Sequence, residues 1–272
     1  MSANEETITI ALAVLVAIGL WVWLSASNAD TFLNPLTAQR ESVALDRDTQ
    51  IQLGQDIQSE LEKMYGSSDA EPAIFNVGGR LLQALQQLEQ TLSSNRGQDA
   101  NLSSFPYQFR VLNTTEVINA LALPGGSVFI TKGLLAQLKT EAQLAAVLGH
   151  ELSHIALRHA ARAYETLMKG SLAIYLLQKL TGQRFQDLYD AAELVDYLLQ
   201  LQYSRDRETA ADHLGFLLAC FAGYDPHGMI ELFEIFKRLS LSHKPEWEST
   251  HPLPESRIEY VSHLSCTPLP SH

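Results

Sequence analysis

Two histidines four residues apart constrain this chain more than any other feature. From His150 to His154 the sequence is His-Glu-Leu-Ser-His. Side chains at positions i and i+4 leave a helix about 40° apart, so both imidazoles can hold one metal ion if this segment is helical. Glu151 then lies next to the metal, where its carboxylate can act as a general base. The pattern therefore predicts a helix that carries a zinc site.

The residues around this motif favour a helix. Apolar residues recur at helical spacing from Glu141 to about Met168 without a proline, and Thr140 can serve as the N-cap. We expect one continuous helix, which would turn His159 away from the histidine pair and towards the surface. The alternative interpretation is an amphipathic helix in which the histidines are incidental.

A third metal ligand is predicted in a second helix. A catalytic zinc site has three protein ligands and one open position, and Glu208 is the best candidate for the third ligand. Asp212 lies one turn later on the same face and can hydrogen-bond a ligand imidazole. Ala210 and Ala211 would let two helices approach closely. A solvated acidic helix face is the alternative interpretation of this spacing.

Length and composition are consistent with one sizeable domain. The chain has 272 residues, of which 46% are hydrophobic, and its formal net charge is −12. Because no Lys/Arg run is present, we predict no nucleic-acid partner. Cys220 and Cys266 are too few for a cysteine zinc site, although an oxidising compartment would permit a disulfide between them.

The N-terminal region contains an uncharged apolar segment from Ile8 to Leu24. With its flanks this segment reaches about 20 residues, enough to cross a bilayer as a helix. We predict a membrane anchor over residues 1–27, followed by a polar linker over residues 28–44. The alternative is a cleaved signal peptide, because small residues at 27–29 are compatible with a cleavage site.

The remaining sequence, residues 45–272, predicts an α+β domain that is mostly helical with one small sheet. Apolar spacing predicts a helix over about residues 45–65 and a second helix that begins at Pro72. After Gly133 the sequence is largely helical in pattern. Three short extended segments predict the sheet, at residues 107–111, 117–121 and 127–131.

Four sequence blocks in this order resemble a known group of enzymes. The blocks are residues 119–135, the motif at 150–154, the segment 207–212, and Thr250-His251-Pro252 with Arg257-Ile258. Together they resemble the HtpX-like, BepA-like and CAAX-prenyl-protease-like zinc metallopeptidases, a gluzincin group. The combination extends from about residue 119 to 258 and is far more specific than the pentapeptide alone.

The resemblance implies a zincin-type peptidase domain with one Zn²⁺ per chain. It implies His150, His154 and Glu208 as the zinc ligands and Glu151 as the catalytic base. It also implies that Asn119 and the strand after it, Ala120 and Leu121, line the cleft. A substrate polypeptide would then add to that edge as a strand, held by main-chain hydrogen bonds.

The resemblance also implies roles for two residues near the C-terminus, His251 and Arg257. In a hydrolase both side chains can stabilise the oxyanion, or His251 can occupy the open zinc position and keep the enzyme latent. The alternative for His251 is a loop histidine packed beside Pro252. The alternative for Arg257 is an ion pair with the acidic helix surface.

We therefore expect a zinc endopeptidase that acts on misfolded or misassembled envelope proteins. A latent or non-cleaving protein that grips extended chains remains the alternative, whereas a structural zinc site is disfavoured because neither cysteine has the required spacing. The resemblance favours a periplasmic domain on a membrane anchor, or secretion to the periplasm after signal cleavage. The nearest cations, Arg40 and Arg47, would instead favour the cytoplasmic side, but they are few and distant.

Overall fold

The computed structural model describes residues 29–69, 71–167, 191–241, 245–252 and 255–266. Over these residues the protein is mostly helical and contains two small sheets. The predicted α+β class with a helical majority is confirmed, whereas the prediction of a single sheet is wrong. No helix within the described ranges is both long and apolar enough to cross a bilayer. The predicted anchor at residues 1–27 lies outside those ranges.

An antiparallel hairpin forms the first sheet. Strand β1 (Asp30–Leu33) pairs with β2 (Arg40–Val43). The polar composition of residues 28–44 predicts a linker, but the hairpin buries Asp30 together with apolar side chains. Phe32 and Leu33 are buried in the main hydrophobic core. Residues 30–43 are thus packed into the domain, and burial of these two apolar side chains stabilises the hairpin.

The first two helices begin and end close to the predicted residues. Helix α1 (Arg47–Tyr65) has Asp46 as its N-cap, whose side chain accepts a hydrogen bond from the backbone N–H of Thr49 at 2.7 Å. Helix α2 (Pro72–Arg96) has a proline in its first turn, where no intrahelical donor is lost. Both helices bury an apolar face, as the periodicity predicts.

The second sheet has the strand order β3-β4-β6-β5. Its strands are β3 (Ser67–Asp69), β4 (Gln108–Leu112), β5 (Ala120–Ala122) and β6 (Ser127–Thr131). Only the β4–β6 pair is parallel. Strand β3 was not predicted, since three polar residues are too few to show an alternation. A short 3₁₀ turn, Pro124–Gly126, joins β5 to β6, and Gly125 adopts a φ of 80° there. Because β5 is the last strand in this order, it is an edge strand.

The C-terminal half is helical wherever it is described, apart from short connections. Its helices are α3 (Lys132–Leu135), α4 (Glu141–Ala156), α5 (Ala191–Gln200), α6 (Arg205–Phe221), α7 (Gly228–Ser240), α8 (Glu246–Thr250) and α9 (Glu255–Ser262), and residues 159–167 are helical as well. The predicted N-cap of α4 is confirmed, because Thr140 Oγ1 accepts from the backbone N–H of Gln143 at 3.2 Å.

Helices α4 and α6 pack against each other through two glycines. A Cβ atom on Gly215 would lie 2.9 Å from the backbone nitrogen of His150, and one on Gly149 would lie 3.1 Å from the carbonyl oxygen of Gly215. Any larger residue would separate the two backbones. This close contact brings the histidine pair of α4 next to the acidic residues of α6.

Helix α4 does not continue to Met168 as predicted. It ends at Ala156, and Arg158 adopts a left-handed φ of 57° before helical structure resumes at residue 159. The Arg158 guanidinium stabilises this break. It donates to the carboxylate of Asp30 at 2.8 Å and to the carbonyl oxygens of Ala156 and Asn101 at 2.7 and 2.5 Å. Since two of these partners are distant in sequence, periodicity within the helix could not reveal the break.

Cys220 and Cys266 form a disulfide. The bond joins the last turn of α6 to the segment that follows α9. The sequence left this pairing open, and the structure brings the two Cα atoms to 5.7 Å.

Candidate metal centre

Helix α4 places the two motif histidines side by side in the protein interior. The Nε2 atoms of His150 and His154 lie 3.0 Å apart, and both residues are buried. This is the arrangement expected for positions i and i+4 on one helix face. Both rings therefore direct one nitrogen at the same point.

Helix α6 brings the predicted acidic ligand to that point. The Oε1 atom of Glu208 lies 3.4 Å from His154 Nε2, and its Oε2 atom lies 3.7 Å from His150 Nε2. Glu208 is buried in the first turn of α6, where the partial positive charge of the helix N-terminus favours a carboxylate.

A third imidazole arrives from the end of α8. The Nδ1 atom of His251 lies 3.2 Å from His150 Nε2 and 2.9 Å from Glu208 Oε1. His251 is buried, and its ring stacks on Trp247 with the ring centroids 4.8 Å apart. Trp247 stacks in turn on Phe236, at 4.2 Å. The aromatic stack orients the His251 ring towards the other ligands.

The four side chains form a donor set that suits a zinc ion. One ligand atom from each of His150, His154, Glu208 and His251 lies within 4.8 Å of all the others. Tetrahedral zinc with bonds of about 2.0–2.1 Å separates its ligand atoms by about 3.3 Å. The measured separations of 2.9, 3.0, 3.2, 3.4 and 3.7 Å lie around that value. Among the residues that the structure describes, this is the one such cluster.

The pKa shifts of three cluster residues agree with the binding of a zinc ion. Burial lowers the pKa of His154 to about 4, so its ring is neutral and can donate a lone pair. Burial would raise the pKa of Glu208, but the neighbouring His251 and hydrogen bonds from His154 and His251 hold it well below its usual range. Burial likewise opposes charge on His251, yet the carboxylates of Glu208 and Glu151 raise its pKa. The site therefore attracts positive charge.

Asp212 and Arg257 support the ligands from behind. The Oδ1 atom of Asp212 lies 3.0 Å from His150 Nδ1, the ring nitrogen that faces away from the cluster. Arg257 donates to both carboxylate oxygens of Asp212 at 2.7 Å, and its Nη1 atom lies 2.7 Å from Glu208 Oε2. Arg257 thus pairs with buried carboxylates rather than with the surface of α6. These contacts hold Asp212 and Glu208 in place.

Glu151 lies beside the cluster and has no hydrogen-bonding partner there. It is buried, and within the described part of the chain neither of its carboxylate oxygens accepts a hydrogen bond. Within that part, the nearest basic nitrogen is His251 Nε2, 3.6 Å from Oε1. A buried carboxylate without partners is costly, so the position calls for a ligand that donates hydrogen bonds, such as water.

A narrow cavity opens at Glu151. Its walls come from α1, the edge strand and the turn after it, α5, and the segment around His251. The lining residues are Ile57, Leu61, Leu121, Ala122, Leu123, Glu151, Val195, Leu199, Tyr203, Thr250 and His251. Of the three residues predicted to line the substrate cleft, Leu121 lines this cavity. The Asn119 side chain is buried and its Oδ1 atom accepts from the backbone N–H of Ala120 at 2.9 Å.

Sequence reasoning missed three aromatic neighbours of the cluster. The Tyr203 ring lies 4.2 Å from the ring of His154, and Trp247 stacks on His251. His159 is buried with its Nδ1 atom 3.1 Å from His154 Nδ1, so the prediction of a surface residue is wrong. The spacing of Trp247 and His251, four residues apart at the two ends of a short helix, was the one signal that could have suggested their contact.

Comparisons with known proteins agree with the geometry. The sequence profile of peptidase family M48 matches residues 83–265. The chain is 30% identical over 181 residues to the mitochondrial metalloendopeptidase OMA1 of Arabidopsis thaliana, covering 66% of this chain and 36% of the relative. It is 32% identical over 168 residues to the β-barrel assembly-enhancing protease of Escherichia coli K12, covering 58% and 34%.

The human mitochondrial metalloendopeptidase OMA1 is similar as well, with 31% identity over 159 residues, 54% of this chain and 30% of the relative. The matches thus span about a third of the length of these curated relatives.

Proposed function

Because the chain belongs to peptidase family M48, we propose that it is a zinc-dependent endopeptidase that hydrolyses peptide bonds in its cleft. One observation carries this proposal. Two imidazoles and a carboxylate converge on one point, and the unpartnered carboxylate of Glu151 lies next to them. A structural zinc site has no use for a buried general base, whereas hydrolysis requires one.

The proposed zinc ligands are His150, His154 and Glu208. The set of two histidines and one glutamate is typical of catalytic zinc in peptidases. When bound, zinc polarises the peptide carbonyl that is to be attacked. Asp212 holds His150 through its outward-facing nitrogen, and Arg257 holds Asp212 and Glu208 in place.

Glu151 supplies the proton transfer. Its carboxylate is buried and unpartnered, so it can accept the proton of the attacking water without first breaking a protein hydrogen bond. It then passes that proton to the amine of the leaving peptide. His251 Nε2, 3.6 Å from Glu151, is the imidazole placed to steady the charge that develops during attack.

The proposed substrate is an extended polypeptide. Strand β5 is at the edge of its sheet, with β6 as its one partner among the described strands, and Leu121 and Ala122 line the cavity at Glu151. An extended chain can add to such an edge through main-chain hydrogen bonds. The aliphatic lining from Ile57, Leu61 and Leu123 favours an apolar side chain next to the scissile bond. Asn119 and Ala120 continue the same edge.

The proposed setting is the quality control of envelope or membrane proteins. It rests on a relative whose name describes a β-barrel assembly-enhancing protease and on the apolar segment from Ile8 to Leu24. With residues 1–27 as an anchor, the peptidase domain would act next to a membrane, on the periplasmic side that the family resemblance implies. Cleavage of the anchor as a signal peptide would release the domain instead.

A second candidate is a latent form of the same enzyme. Its support is the position of His251 Nδ1, which lies within the donor set where a substrate or water would otherwise bind. With four protein ligands the zinc has no open position for chemistry. In this state the cleft could hold an extended chain without cutting it. Cleavage gained on replacing His251 would identify the latent form.

Zinc content and casein cleavage, measured together on the full-length chain, test the main proposal. Wild type should bind one zinc per chain and cleave casein. Glu151→Gln should keep the zinc but lose about 10²- to 10⁴-fold in turnover, because the amide cannot accept the proton. His213→Leu is a matched control, since His213 pairs with Tyr260 outside the cluster. Undiminished cleavage by purified Glu151→Gln would refute the assignment of the base, and a zinc-free wild type would refute the proposal.

A further inference from the structure

His159 contacts the back of a predicted zinc ligand. Its Nδ1 atom lies 3.1 Å from the Nδ1 atom of His154, and the ring centroids are 4.9 Å apart. Both residues are buried. The other ring nitrogen of His154, Nε2, points into the donor set 3.0 Å from His150 Nε2. His159 therefore meets the one hydrogen-bonding atom of His154 that a metal would leave free.

This contact exists because helix α4 is broken. In a straight helix, five residues of about 100° each would place His159 about 140° away from His154. The left-handed conformation of Arg158 turns the chain so that the next residue points back at the helix end. Its guanidinium fixes that turn by hydrogen bonds to Asp30, Ala156 and Asn101. Such a conformation is unfavourable for a non-glycine residue, and these bonds offset that cost.

The proton positions on the two rings follow from simple bonding rules. A histidine that binds a metal through Nε2 carries its hydrogen on Nδ1, so His154 Nδ1 is a donor. The atom that faces it at 3.1 Å, His159 Nδ1, must then be the acceptor. His159 accordingly carries its hydrogen on Nε2. If both rings carried hydrogen on Nδ1, the two donors would oppose each other at that distance.

We propose that His159 is a positioning residue that holds His154 in its metal-binding tautomer and orientation, an inference that rests on the proposed zinc site. The two ligand histidines then have different supports. Asp212, a carboxylate, faces His150 Nδ1 at 3.0 Å, whereas another imidazole, that of His159, faces His154 Nδ1 at 3.1 Å. Partners of this kind fix the ring and increase its affinity for the metal, and their loss typically weakens metal binding about 10- to 100-fold.

A matched pair of substitutions separates the hydrogen bond from packing. Asparagine places its Oδ1 atom near the position of a histidine Nδ1 and can accept the same hydrogen bond, whereas leucine has nearly the same shape as asparagine and accepts none. We expect His159→Leu to raise the zinc dissociation constant of the full-length chain about 10- to 100-fold, and His159→Asn to keep it near the wild-type value. The readout is zinc competition with a chromogenic chelator.

Two controls test whether His159→Leu still folds and whether the loss of zinc affinity is specific to the position of His159. Thermal unfolding of the zinc-free variants should show that His159→Leu still folds, and His213→Leu should bind zinc like wild type because His213 contacts Tyr260 instead. Equal zinc affinity in wild type and His159→Leu would overturn the proposal. Equal weakening in the leucine and asparagine variants would also overturn it, because packing alone would then explain the loss.

The result is separable from the test of peptidase activity. A wild-type chain that binds zinc without cleaving casein would count against the proposed enzyme, while a leucine-specific loss of zinc affinity would still support the role of His159. Conversely, if the wild-type chain cleaves casein and His159→Leu binds zinc as tightly as wild type, the proposed role of His159 is wrong and the proposed peptidase activity stands. A wild-type chain without zinc would overturn both.

Discussion

His251 places its Nδ1 atom 2.9 Å from Oε1 of Glu208, although the two residues are on different helices and 43 positions apart in the sequence. The other three members of the donor set are on α4 and α6, which are fixed against each other by Gly149 and Gly215. His251 alone is on the short α8 segment, held by its stack on Trp247. The position of this fourth donor is therefore not set by the contact between α4 and α6 that fixes the other three.

The first prediction concerns that fourth donor. His251→Ala should keep zinc, because His150, His154 and Glu208 remain, and should open the fourth position. For the latent form, in which the wild-type cleft is open for about 0.1–10% of the time, the substitution should raise casein turnover about 10- to 1,000-fold. The measurement is initial rate against zinc content for both proteins. A fall in turnover with unchanged zinc would instead assign His251 to stabilising charge during the reaction.

The second prediction concerns Arg257. Its guanidinium is the buried partner of Asp212 and lies 2.7 Å from Glu208, so Arg257→Met leaves two buried carboxylates without their guanidinium partner. The free energy of unfolding of the zinc-free chain should fall by about 3–5 kcal/mol, measured by urea denaturation. For Arg257→Lys the free energy of unfolding should fall by an intermediate amount, because an ammonium cannot make the bidentate contact that the guanidinium makes with Asp212. An Arg257→Met protein as stable as wild type would contradict the pairing.

The third prediction concerns the pH dependence of stability through Asp212. Burial would raise the pKa of this carboxyl, but Arg257 and the His150 imidazole 3.0 Å away lower it below the ordinary value of 3.8. A lowered pKa in the folded state stabilises the protein above the unfolded pKa, and that stabilisation is lost as the pH falls through the folded value. Asp212→Asn should therefore be less stable than wild type at pH 7, with the difference shrinking below about pH 3.8.

Urea denaturation of the zinc-free proteins at a series of pH values measures that difference. The asparagine amide has nearly the shape of a protonated carboxyl, so the two proteins should converge in acid. A stability difference that stayed constant from pH 7 to pH 2 would show that the charge of Asp212 contributes nothing.

The fourth prediction concerns the disulfide between Cys220 and Cys266. It closes a loop with a sequence separation of 46 residues, which contains α7, α8 and α9. Loop-closure entropy gives such a bond about 4 kcal/mol of stabilisation. Reduction should lower the free energy of unfolding by about that amount, measured with and without dithiothreitol. A Cys220→Ala/Cys266→Ala protein should already have the lower stability and should not respond to the reductant.

Local patterns were sufficient for much of the fold and of the proposed site. The histidine pair on α4, the acidic pair Glu208 and Asp212 on α6, and the starts of α2 and α4 at Pro72 and Glu141 all depend on residues within one or two helical turns of each other. Spacing, caps and proline act directly on neighbouring backbone torsions. The sequence blocks shared with the zinc metallopeptidases added His251 and Arg257, which no local pattern marks.

The tertiary structure decided the features whose partners are distant in sequence. The sequence predicts an unbroken helix after His154, but Arg158 finds Asp30 at a separation of 128 residues and turns the chain instead. The same turn carries His159 from the expected surface to the back of His154. Likewise, residues 30–43, whose polar composition predicts a linker, form a hairpin because Phe32 meets a core built by later segments. By itself the sequence determined which residues can share a helix face, since that depends on torsions between neighbours. Which faces meet depends on close packing and hydrogen bonds between remote segments, and only the folded chain brings those together.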